Sequence, residues 1–168
     1  MCAIIGNPAF PGRPLPCCMA PTVPFVHVTL LGQVAAIGDD RHELLPDERP
    51  THLLVLLAVH PGWMPRAQVA TLLWPRLPHD TALRNLRKTL HRLRRQWWAG
   101  AVTIEPERLA LRADTDLAAC LRHLRAGESA AALELMKGPL ALDLCADDED
   151  GALGWLALAR EQWLGHWR

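Results

Sequence analysis

The chain contains no tyrosine and only two phenylalanines, which removes one common proton donor and stacking group from any site it forms. Also missing are the phosphate-binding GxxxxGK[ST] and GxGxxG loops, the HExxH metal helix and the GxSxG nucleophile turn, so no catalytic residue and no cofactor is expected. Cys2, Cys17, Cys18, Cys120 and Cys145 are odd in number and form neither CxxC nor CxxCH, which argues against a disulfide framework and a paired zinc site. Cys120 and His123 lie one helical turn apart without a second ligand pair and read as ordinary helix residues, so no metal is expected. Asp147, Asp148, Glu149 and Asp150 lack the glycine-centred spacing of a calcium loop and read as a solvated acidic loop. The eight histidines are scattered and form no triad. No stretch reaches ~18 apolar residues, the length a membrane helix needs. The N-terminus carries Arg13 late and is broken by Pro8, Pro11, Pro14, Pro16, Pro21 and Pro24, unlike a signal peptide. The expectation is a cytoplasmic protein with reduced thiols and a disordered leader over residues 1–24, in which Met19 is an alternative start.

A formal net charge of zero hides a division along the chain. Residues 1–25 carry +1, residues 26–127 carry +4 and residues 128–168 carry −5, which points to modules with different partners. The basic excess is concentrated in residues 81–98, TALRNLRKTLHRLRRQWW, with six Lys/Arg and no Asp/Glu. Leu83, Leu86, Leu90, Leu93 and Trp97 recur at steps of three and four and stack into one apolar stripe. Opposite it fall Arg84, Lys88, His91, Arg92 and Arg95, with Asn85 beside them and Arg87 and Arg94 on the flanks. Like charges at helical i,i+4 spacing repel by a few tenths of a kcal/mol each, so the anions that neutralise this face should come from outside. A phosphate backbone supplies them, and a helix docked by one face has the shape that enters a major groove. A solvated surface helix or a membrane-surface helix shares the pattern, so the surroundings must decide.

Those surroundings read as three short strands, over 25–31, 33–37 and 41–45, with Gly38-Asp39-Asp40 as the turn of a hairpin. Pro50 then opens THLLVLLAVH, apolar on most sides and therefore a core helix, stopped by Pro61-Gly62. Pro65 opens a second helix, RAQVATLLW, ended by Pro75 and Pro78, and Asp80 or Thr81 is placed to cap the basic helix. Two alternating runs over 101–105 and 108–112, joined by Pro106-Glu107, form a hairpin. Three strands, two helices, a basic helix and a hairpin make the order of a winged helix. The fold class expected is α+β: a winged helix-turn-helix with an N-terminal antiparallel sheet over 25–113, then a short all-helical segment over 114–168.

The strings LLAVHPGWMPRAQVATLLWP and ALRNLRKTLHRLRR, the hairpin, and Asp114-Thr-Asp116 leading into a helix resemble the DNA-binding half of SARP-type bacterial transcriptional activators. The remainder, ALELMKGPLALDLCADDEDGALGWLALAREQWLGHW, looks like the start of the tetratricopeptide-like activation domain of that family. The resemblance implies a recognition helix over 84–95, a wing tip over 105–108, a turn at Pro61-Gly62 and a packing role for Trp74. It also implies double-stranded DNA and RNA polymerase as partners. Met64-Pro65 departs from the family's usual Ser or Thr cap. The helical segment is shorter than the family's several helix pairs, which would leave Leu153, Leu156, Leu158, Trp163 and Trp167 without a neighbour. A homodimer through 152–167 is therefore expected.

The DNA-contacting residues expected are Arg84, Asn85, Arg87, Lys88, His91, Arg92, Arg95 and Arg108, with arginine and lysine on phosphates and one or two of Arg84, Asn85, Lys88 and Arg92 on base edges. The alternative is a degenerate homologue that acts as a protein-interaction partner or competitor. A more distant one is RNA binding, with Trp97 and Trp98 stacked on bases.

Overall fold

The structure, a computed structural model, describes residues 26–145 and 153–166. The expected leader, Cys2, Cys17, Cys18, Met19, Phe25, the acidic residues 147–150, Ala152 and Trp167 lie outside the described residues.

Alternation about Val28 forms β1 (His27–Thr29), which pairs antiparallel with β2 (Ala35–Ile37), and β2 with the exposed β3 (His42–Leu44). A fourth strand, β7 (Asp114–Thr115), runs parallel to β1, with Val28 opposite Thr115, so the sheet is not purely antiparallel as expected. The cause lies in the next residue. Asp116 is buried, and its carboxylate accepts the backbone N–H groups of Leu30 (2.8 and 3.0 Å), Leu31 (3.0 Å) and Leu117 (2.7 Å). Those bonds draw the strand before it against β1. Burial pushes the Asp116 carboxyl above its ordinary value, and the three N–H groups offset only part of that rise.

The apolar run after Pro50 forms α1 (Arg49–Val59), buried at every position from Pro50 to Leu57, as a core helix must be. Met64 and Pro65 do more than open a helix. They form β4, paired with β6 (Arg108–Leu111), which pairs in turn with β5 (Val102–Ile104). The expected two-stranded hairpin is thus the larger part of a three-stranded sheet. Helix α2 (Arg66–Leu73) follows β4 directly.

The basic stretch forms α3 (His79–Leu93), which begins two residues earlier than expected and stops before Arg94. Pro78 stands at its N-cap, no side chain caps it, and Asp80 lies in its first turn. It stops because of the tryptophans. Continued helically at 100° per residue, Trp98 would fall on the cationic face. Instead the chain tightens into a 3₁₀ turn, Trp97–Ala101, which sinks Trp98 into the core and lets Trp97 Nε1 donate to Glu43 at 2.6 Å.

The second half holds α4 (Asp116–Arg125), capped by Thr115 Oγ1, α5 (Ser129–Leu135) and α6 (Gly154–Gly165). Cys120 and His123 face different neighbours: the thiol donates to Ala132 O at 3.3 Å, and the imidazole meets Glu128 at 2.6 Å. Between α5 and α6 the chain is bonded to the β1–β2 loop. Lys137 N donates to Leu31 O, Gly32 N to Pro139 O, Ala141 N to Leu30 O and Leu142 N to Gly32 O. This contact needs glycine twice: Gly32 sits at φ +120°, and a Cβ on Gly138 would lie 3.2 Å from Gly32 Cα.

Helix α6 closes over this segment. The Arg160 guanidinium donates to the carbonyls of Leu140 (2.8 Å), Ala141 (2.6 Å) and Leu144 (3.0 Å), while Leu153, Leu156 and Trp163 are buried in the same hydrophobic cluster as Val28 and Leu54. This bears on the expected homodimer through 152–167. Of the five apolar residues expected to seek a second copy, Leu153, Leu156 and Trp163 are covered by residues of the same chain, whereas Leu158 is exposed, as is Leu164.

Removing the Asp116 carboxylate leaves buried N–H donors without an acceptor, at about 1–3 kcal/mol for each such group. Asp116→Ala is expected to lower unfolding stability by at least about 3 kcal/mol. Asp116→Asn should lose nearly as much, because its amide turns N–H against N–H. Chemical denaturation of the two variants checks this.

Candidate nucleic-acid interface

Helix α3 divides by burial as its periodicity predicts. Ala82, Leu86, Thr89, Leu90 and Leu93 are buried and Leu83 half-buried, while Arg84, Arg87, Lys88, His91 and Arg92 are exposed and Asn85 half-buried. The buried side packs on α1 and α2, so the helix is held by one face while the other stays open. The five exposed residues line one shallow concavity of about 410 Å³. Among the described residues none of the five takes part in an ion pair. The helix thus presents positive charge that the described residues leave without a counter-ion.

The remaining two expected contacts are placed differently. Arg95 is exposed but lies in the turn after the helix, its N–H bonded to Arg92 O at 3.0 Å. It therefore extends the basic surface off the helix rather than along it. Arg108 starts β6, on the far side of the 105–108 turn, where Glu105 N–H bonds Arg108 O at 2.9 Å. Its guanidinium is already engaged: Nε donates to Glu105 at 2.6 Å, and the group stacks over Trp63 at 4.3 Å. Arg112 reaches the same ring at 5.2 Å.

Sequence reasoning gave Trp63 no role. It sits in the α1–α2 loop, where its spacing matches no stripe, and only the β4–β6 pairing brings it to the arginines. The HPGW order hinted at a turn but not at its cation–π partners. Among the described residues no three His, Cys, Asp or Glu side chains gather as a metal set. Nor is any helix of these residues long and apolar enough to cross a membrane.

No protein-family model and no curated protein sequence matches the chain. Among solved structures the fold is similar to that of Mycobacterium tuberculosis EmbR, solved in complex with a low-affinity phosphopeptide. The TM-score is 0.55 at 20% sequence identity over 85% of this chain and 44% of EmbR. The likeness shows a shared mixed α+β fold, and this chain spans less than half the length of that protein.

Because the exposed cations of α3 repel one another and have no acid partner among the described residues, the triple change of Arg84, Lys88 and Arg92 to Ala should not destabilise the fold. We expect a melting temperature equal to or slightly above the parent's at low salt, since each relieved i,i+4 pair contributes a few tenths of a kcal/mol. A loss above about 1 kcal/mol by thermal melting would reveal a stabilising partner for this face.

Proposed function

We propose that the chain is a duplex-DNA-binding transcriptional regulator of the SARP kind. In this reading residues 25–113 form a winged helix, α3 is the recognition helix and the β5–β6 hairpin is the wing. Residues 114–168 belong to a tetratricopeptide-like activation module. One observation carries the proposal: an exposed helix face with four Lys/Arg side chains and a histidine, rigidly backed by the core and unpaired within the described protein. A phosphate backbone is the partner that neutralises such a face without requiring anything of the core. The likeness to EmbR supports the reading at the level of fold, and the motif resemblance supports it at the level of family.

The roles divide by position. Arg84, Lys88 and Arg92, one helical turn apart, run along the centre of the open face, so they and Asn85 are the groups that reach base edges when the helix enters a major groove. Arg87, His91 and Arg95 lie toward the margins and contact phosphates, fixing register. Arg108 meets the adjacent backbone as a pre-shaped donor. Its stacking on Trp63 and its bond to Glu105 restrict its rotamers, so less side-chain entropy is lost on contact. Recruitment of RNA polymerase through this surface or its neighbours belongs to the same proposal by family resemblance.

The test is direct titration of purified protein with a mixed-sequence duplex across salt concentrations. Without a cognate site binding is electrostatic, so on a mixed-sequence duplex the six cations Arg84, Arg87, Lys88, Arg92, Arg95 and Arg108 all face phosphates and give a slope of log K against log salt of roughly −5 by counterion release. The triple alanine variant should bind no duplex while keeping its helical circular dichroism. A triple variant that binds normally overturns the assignment of α3.

A further inference from the structure

Of the five side chains that line the concavity on the open face of α3, four are arginine or lysine and the fifth is His91. Guanidinium and ammonium groups carry their charge throughout the physiological range, whereas an imidazole changes charge between about pH 5 and 8. All five belong to α3, so among the described lining residues no group from another element faces the ring. Its neighbours at helical spacing are Arg87 and Lys88 on the turn before and Arg94 and Arg95 beyond it, all exposed cations. The one acid of α3, Asp80, stands in the first turn, three turns away. The other described histidines are placed differently. His52 and His123 are set against Asp47 and Glu128, and His79 begins the helix at its far end.

These surroundings treat a proton on His91 in opposite ways in the free and the bound protein. In the free chain the imidazolium adds a fifth positive charge to the four already in the concavity, and like charges at this spacing repel. Against a duplex the ring faces phosphate oxygens, and the proton turns it into a charge-assisted donor. The same phosphates neutralise the neighbouring cations, so the repulsion is withdrawn as the attraction appears. A proton held more tightly in the complex than in the free protein is taken up on binding, and the coupling is reciprocal: the proton strengthens binding as much as binding strengthens the hold on the proton. We propose that duplex binding by α3 is coupled to proton uptake at His91, which makes the open face a pH-responsive nucleic-acid site. Affinity is then highest below the imidazole's titration range and is lost as the pH rises through it. The coupling rests on the DNA-binding reading of α3 and adds to it a group that regulates the same face.

The experiment titrates the full chain and the variants His91→Gln and His91→Arg with one mixed-sequence duplex at pH 6.0 and pH 8.0, each over a range of salt. The other seven histidines also gain charge on acidification, so parent and variant are compared at each pH. The parent's affinity relative to that of His91→Gln should rise about five- to tenfold from pH 8.0 to 6.0, the worth of one exposed charge-assisted contact. Over the same interval the parent's slope of log K against log salt should steepen by about one relative to the variant's, as one added phosphate contact requires. His91→Arg carries its charge at both pH values, so its affinity relative to His91→Gln should be the same at both. Because His91 is exposed, both variants should keep the parent's circular dichroism. A parent-to-Gln ratio that does not change with pH, in a parent that binds duplex with the expected salt dependence, would overturn the proton coupling and leave the DNA reading standing. A parent without salt-dependent duplex binding at either pH would remove both.

Discussion

The backbone of Leu30, Leu31 and Gly32 is the point on which the two halves of the molecule meet. Its N–H and carbonyl groups are bonded by Asp116, Lys137, Pro139, Ala141 and Leu142, residues about ninety to a hundred and ten positions further on. A loop at the end of a strand ordinarily gives these groups to water. Here they are buried among apolar side chains, so each needs a protein partner. Asp116 supplies two of them at once, and it holds them although burial opposes its own ionisation. With the loop fixed, β1 is fixed, and with it the apolar surface on which α1 rests. Since β1 and α1 share one hydrophobic cluster and α1 in turn packs against α3 and β6, the cationic helix and the strand that Asp116 holds are built on the same core.

What the sequence made legible was whatever repeats with a short period. The burial of Leu86, Leu90 and Leu93 and the exposure of Arg84, Lys88 and Arg92 follow from spacing alone, as does the all-round burial of α1. Three things did not follow, each for its own reason. The end of α3 at Leu93 is decided by the depth at which Trp98 packs, a tertiary demand that a local stripe cannot express. The fourth strand and its parallel pairing depend on Asp116 finding acceptor work 86 residues back in the chain, where sequence shows only a helix start. The burial of Leu153, Leu156 and Trp163 depends on the segment 137–144 folding onto the β1–β2 loop, and that depends on Gly32 and Gly138, two ordinary-looking glycines.

The electrostatic design is one of segregation. The chain as a whole is neutral, yet among the described residues the exposed cations of α3 form no ion pair with an acid. Arg108, by contrast, is matched to Glu105 and Trp63, and Arg160 spends its donors on backbone carbonyls. Arginine therefore does three jobs in one small protein: open charge, stacked edge and internal clamp. Only the first is visible as charge in the sequence, since the other two depend on which backbone or ring lies nearby. That the fold is shared with EmbR at 20% identity fits this division, because a stripe of apolar positions tolerates exchange among similar residues far more readily than a paired contact does.

The Gly32–Gly138 contact has a consequence for geometry at long range. Two backbones pressed together without side chains between them, and bonded on both sides, tie the segment after α5 directly to the sheet. Whatever docks on the α4–α6 helices is carried at an angle to α3 that this contact helps to set. Under the proposed DNA-binding reading that angle becomes a phase: moving the protein's seat along the DNA by about five base pairs, half a helical turn, would swing the helical side to the opposite face of the double helix.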